Sequence, residues 1–145
     1  MANLNDVANC FLKLDEANEG DGISNLKLQK LVYYAQGFYI AIHDKALFND
    51  AHIEAWTHGP VSPPLYHQYK EFGSNPIPAP LNFDESTLKE DELDIIKEVF
   101  EVFGQFSAWK LRNMTHEEAP WLENESTASI ITLDEVKRYF KTRLN

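Results

Sequence analysis

The chain has 145 residues, 43% of them hydrophobic and 12% aromatic, a size and composition that predict one folded domain and exclude a disordered chain. Its net charge of −10, from 13 basic and 23 acidic residues, disfavours nonspecific nucleic-acid binding, because phosphate contacts need clustered Lys and Arg. The same acidity suits a basic protein partner, attracted at long range, as well as it suits plain solubility.

Leu4, Val7, Ala8, Phe11 and Leu12 recur at helical spacing and predict a first helix that ends before Gly20-Asp21-Gly22. The N-terminus lacks a basic region followed by an apolar run, so it does not read as a secretory signal. No apolar run approaches the ~18 residues of a membrane span. A cytoplasmic protein is expected. The single Cys10 excludes an internal disulfide and any multi-cysteine metal site, and its place on the apolar stripe predicts a buried structural thiol.

Ser24 or Asn25 can cap a second helix. Leu28, Leu31, Val32, Ala35, Phe38, Tyr39 and Ile42 then describe one apolar face. Its flank carries Lys27, Lys30, Tyr33, Tyr34, Gln36 and Gly37, tyrosine-rich for a solvent face. Asn49-Asp50 is turn chemistry ahead of the alternating Ile53-Glu54-Ala55-Trp56, which predicts a small β-hairpin turning there. Ser62-Pro63 reads as an N-cap with proline at the first helical position, followed by a short helix on Leu65, Tyr69 and Phe72 that closes at Gly73.

Pro76, Pro78 and Pro80 mark an extended connector, and the pieces on either side are too small to fold alone. Leu93, Ile96, Val99, Phe100 and Phe103 predict the next helix. Ser107 can cap a short one with Leu111 and Met114. Thr132-Leu133-Asp134-Glu135 is a capping box opening a last helix with Val136, Tyr139 and Phe140 inward. The expected fold class is mainly α: one compact domain over residues 1–145, with five to six helices and a small β-hairpin.

Two corners concentrate rigid chemistry. One is Trp56-Thr57-His58-Gly59-Pro60-Val61-Ser62-Pro63-Pro64-Leu65-Tyr66; the other is Thr115-His116-Glu117-Glu118-Ala119-Pro120-Trp121. Of the five histidines (His43, His52, His58, His67 and His116), no pair has zinc-protease spacing, so no metal is expected. Thr115-His116-Glu117 holds a hydroxyl, an imidazole and a carboxylate, but consecutive residues do not readily converge in triad geometry. Adjacent carboxylates such as Glu117-Glu118 predict solvated charges. An enzyme therefore has residues here but no constellation, and a small hydrolase using His58 and His116 is the weakest of three readings. Trp, Tyr and His on proline-stiffened loops suit protein recognition, since they bring large contact area at little conformational cost. The competing possibility is that Trp56, Tyr66 and Trp121 lie inside and the prolines merely turn the chain.

The run Ile23-Ser24-Asn25-Leu26-Lys27-Leu28-Gln29-Lys30-Leu31-Val32-Tyr33-Tyr34-Ala35-Gln36-Gly37 resembles the opening signature of the Panacea, or SocA-like, antitoxin domain family, which includes phage-associated proteins of the GepA type. The resemblance continues through Leu47-Phe48, Ile53 to Val61, Leu65-Tyr66 and Tyr69, then Ser107, Leu111, Thr115-His116-Glu117, Pro120-Trp121, Ile131 and Tyr139-Phe140. It spans roughly residues 5 to 142; Lys110 departs from it, standing where a glutamate is expected. The resemblance implies a helical domain that neutralises a cognate toxin, encoded by the adjacent gene, through direct binding. It also implies two alternatives, an adaptor delivering a client to the ClpXP protease and a prophage regulator. It carries no catalytic residues and no cofactor. The candidate partner-binding or motif residues are Lys30, Tyr34, Trp56, His58, Tyr66, His116 and Trp121.

Overall fold

The computed structural model describes residues 1–144. Helix α1, Leu4–Ala17, starts where the Asn3 side chain accepts from the Asp6 amide. Helix α2, Asn25–His43, starts where Ser24 Oγ accepts from the Lys27 amide. Strands β1, Ile53–Trp56, and β2, Gly59–Val61, form an antiparallel hairpin that pairs Trp56 with Gly59 and Ala55 with Pro60. Helix α3, Pro63–Tyr69, runs into a 3-10 turn at Lys70–Phe72. Helices α4, Glu90–Phe103, α5, Ala108–Thr115, and the single turn α6, Ala119–Leu122, precede β3, Ile130–Ile131. Helix α7, Leu133–Lys141, closes the order behind the expected capping box on Thr132 and Glu135. The sheet order is β2-β1-β3, with Ile53 opposite Ile131.

The mainly helical class is as the sequence indicates, but four details differ. Strand β3 widens the expected hairpin to a three-stranded sheet. The helices number seven among the described residues, because the second corner winds into its own turn, α6. The hairpin turns at Thr57-His58, not at Asn49-Asp50. Leu47 and Phe48 are buried without strand pairing, and Asp50 instead accepts from the Leu4 amide with both carboxylate oxygens (3.1 and 3.2 Å), serving the start of α1. Finally, α2 does not have one inner face. Packed by α1, α3, α4, α5, α7 and β2, it buries Lys30, Tyr33, Tyr34 and Gln36 along with most of the apolar stripe, whereas Phe38 is half-buried and Ile42, expected inside, is exposed.

A helix buried all round must satisfy its polar side chains internally. Those of α2 do so by bonding the loops that surround it. Gln36 donates to the Phe48 carbonyl and accepts from the Leu47 amide, both at 2.8 Å. Gln29 accepts from the Ser62 amide (2.9 Å) and donates to Asn25, whose own amide donates to the Tyr66 carbonyl (3.0 Å). Ser62 itself occupies the N-cap position of α3, yet its buried Oγ makes no hydrogen bond among the described residues. The proline-rich connector is likewise pinned: the Ile77 amide donates to the Ile23 carbonyl, and Ile77 is buried.

Helix α7 completes the core. Phe140 lies against Tyr33, Tyr34 and Phe38 with ring centroids 5.4, 5.9 and 4.9 Å away. A Cβ at Gly37 would fall 2.3 Å from the Phe140 ring, so the missing side chain on α2 is what seats α7.

Candidate functional site

The two rigid corners meet. Trp121 Nε1 donates to the Trp56 carbonyl at 2.7 Å, tying α6 to the end of β1. His116 stacks flat on Trp121, centroids 3.8 Å apart and planes 6° from parallel. Burial, reinforced by the nearby Arg112 charge, holds the His116 pKa below its usual value and favours the neutral ring. Trp121 is buried. Both residues face the join between the corners.

Gly59 makes the join possible. Its φ of +109° strains any side-chain-bearing residue, and a Cβ there would lie 2.6 Å from Lys30 Cε and 2.8 Å from Thr115 Oγ1. Beneath the hairpin, Lys30 is completely buried and donates to the Pro60 carbonyl at 3.1 Å. Burial, aided by the charge of Arg112, pulls its pKa down to about 7. Pro60 fits because β2 is an edge strand, where a missing amide donor breaks no ladder.

Tyr34 is also fully buried, stacked on Phe103 at 4.2 Å. Its hydroxyl donates to Glu118 at 2.7 Å, the Tyr33 hydroxyl donates to the same carboxylate at 3.1 Å, and Arg143 lies 3.4 Å away. The expectation of solvated charge at Glu117-Glu118 therefore fails at Glu118, which is 4% exposed. Burial raises its pKa, and the hydrogen bonds from both tyrosines oppose the rise.

The remaining three candidates share one surface. Trp56 and Tyr66 pack edge to face at 5.0 Å and, with His58, line a groove of about 760 Å³ between the hairpin, the start of α2 and α5. Trp56 Nε1 donates to Glu54 at 2.8 Å, which fixes the indole. Gln29 and Asn25 line the floor while bonding Ser62 and Tyr66, so the wall is held from below. Trp109 of α5 forms the opposite rim and is 56% exposed. Arg112, one turn on, places its guanidinium 4.3 Å above the Trp109 ring and donates to His58 Nδ1 at 3.1 Å.

Trp109 and Arg112 were missed from sequence. Their signal was present: they sit at i and i+3, off the Leu111/Thr115 face of α5. Among the described residues, no group of three or more His, Cys, Asp or Glu is placed to hold a metal ion. No helix among them is long and apolar enough to cross a membrane.

Fold and groove together define a small helical domain that presents preformed aromatic rims over a backing of buried polar ties. The chain belongs to the SocA-like antitoxin, Panacea domain family, whose model matches residues 28–122. It is similar to a protein named antitoxin SocA from Caulobacter vibrioides (strain NA1000 / CB15N), with 44% identity over 68 residues. That match covers 46% of this chain and 35% of the relative, so it spans about a third of the relative's length. No solved structure matches the chain.

Proposed function

We propose that the protein neutralises a cognate toxin by stoichiometric, non-catalytic binding, and that the groove between the hairpin and α5 is where the toxin docks. The observation that carries this reading is the half-exposed Trp109 facing Trp56 and Tyr66 across a groove whose floor is fixed by Gln29 and Asn25. Aromatic side chains already immobilised before contact lose little entropy on binding, and such groups dominate interface energetics. Lys30, Tyr34, His116 and Trp121 support the docking wall from behind, while Trp56, His58 and Tyr66 are the candidates for direct contact. Membership of an antitoxin family supplies the class of partner, and the adjacent gene is the candidate for encoding it.

The test is co-expression with the product of the adjacent gene. The pair should co-elute on size exclusion, and growth should recover only up to equimolar toxin. Trp109→Ala and Tyr66→Ala should weaken the complex without moving the melting midpoint. Growth recovery at strongly substoichiometric antitoxin would point to turnover and count against the proposal. So would the absence of any complex.

A further inference from the structure

The groove has the opposite charge character to the rest of the molecule. The chain carries −10 overall, yet Lys70 lines the groove, Arg112 stands over its Trp109 rim, and among the described residues no Asp or Glu lines it. The carboxylate of Glu54, on the same face of β1 as Trp56, does not line the groove and is already engaged by Trp56 Nε1 and by His52. Among the described residues neither Arg112 nor Lys70 belongs to any ion pair.

Arg112 is the informative member. It lies over Trp109, and its orientation is set by bonds to His58 Nδ1 and Asn113 Oδ1 (3.1 and 3.0 Å). A guanidinium has five N–H donors; these two bonds leave others for a ligand. Covering this cation with an apolar or basic partner would desolvate it without compensation, which is strongly unfavourable. A carboxylate beside an apolar side chain resolves both demands, because the acid meets Arg112 while the apolar group enters between Trp56, Tyr66 and Trp109.

We propose that the groove receives an acidic, apolar-anchored segment of the protein partner, with a carboxylate seated against Arg112 at the Trp109 rim. The proposal rests on the docking reading above and reverses the simplest expectation from net charge, in which an acidic protein contacts a basic surface. The long-range field and the contact point then do different things: the field acts on the partner as a whole, and Arg112 selects the segment.

Overlapping peptides spanning the product of the adjacent gene, probed with the labelled full-length protein, test the segment. The bound peptides should pair Asp or Glu with a neighbouring aromatic or aliphatic residue. In the intact pair, Arg112→Glu should weaken binding about tenfold or more, with the melting midpoint unchanged. Replacing the partner's acidic residue by Lys should restore binding to Arg112→Glu. If Arg112→Glu lowers the melting midpoint, Lys70→Glu on the exposed far side of the groove takes its place, with a smaller loss expected. Binding of basic peptides, or an intact complex that tolerates both charge reversals, overturns the proposal while leaving the docking reading in place. If no complex forms with the wild-type protein, both fail together.

Discussion

Lys30→Met gives the most direct check on the architecture beneath the hairpin. Lys30 is 0% exposed, and among the described residues its Nζ donates to the Pro60 carbonyl with no carboxylate beside it. In the unfolded chain the amine titrates near 10.5, whereas in the folded state it titrates at about 7. Between those values the unfolded chain binds a proton that the native state does not, so stability rises with pH there. Above pH 10.5 both states hold a neutral amine and the penalty is gone. Descending from that point, stability is lost at about 1.4 kcal/mol per pH unit and levels off below pH 7, with a ceiling of about 5 kcal/mol. Methionine fills the same volume without a charge. Lys30→Met should therefore be more stable than wild type at pH 7 by up to about 4 kcal/mol. The difference should shrink toward pH 10, where wild type keeps a hydrogen bond of about 1 kcal/mol that methionine cannot make. Urea unfolding of both proteins from pH 6 to pH 10 measures this directly, and taking the difference removes contributions from other titrating groups. Parallel stability profiles would refute the reasoning, because they would mean that Lys30 is solvated or paired with an anion.

Three further outcomes follow from the same packing. Glu118→Ala should lower stability by about 3 kcal/mol in chemical denaturation, since it leaves the Tyr33 and Tyr34 hydroxyls buried without their acceptor. Glu118→Gln should lose less. Because burial raises the native pKa of Glu118, wild type should lose stability relative to Glu118→Gln as pH rises from about 4.5 through that raised value; a difference independent of pH would contradict the burial. Gly59→Ala should cost about 3 kcal/mol through left-handed strain and collision with Lys30 and Thr115, and a melting midpoint matching wild type would show the hairpin to sit higher than described. Cys10, with its thiol pushed by burial from 9.0 to about 12, has a thiolate population reduced about a thousandfold. It should react with a disulfide reagent at pH 8 only on unfolding, and rapid labelling of the native protein would count against its place in the core.

The helices were legible because their apolar residues recur at the right spacing and their caps are local. Ser24, Ser107 and Thr132 each accept from an amide three residues on, an interaction written within four consecutive letters. What escaped was everything that depends on how many neighbours a helix has. Periodicity assigned α2 a single inner face, but Lys30, Gln29 and Gln36 face inward because distant loops need their hydrogen bonds. The hairpin was misplaced for a related reason. Asn49-Asp50 has genuine turn chemistry, but Asp50 serves a helix 46 residues earlier in the chain. The true strand β2 contains a proline that only an edge position tolerates. At the candidate site, the corners were visible as clusters of Trp, His and Pro, but not which aromatic turns outward. Trp56 and Trp121 look alike in sequence; the first lines the groove, and the second spends its indole N–H on the first one's carbonyl.

The closing of Phe140 over Gly37 has a practical corollary. Helix α7 lies beyond the segment that the family model matches, yet it acts as the keystone of the arch over α2. A fragment cut to residues 28–122 would strip Phe140 from Tyr33 and Tyr34, leaving Tyr34 its stack on Phe103. Borders drawn by likeness and borders drawn by mechanics do not coincide in this molecule.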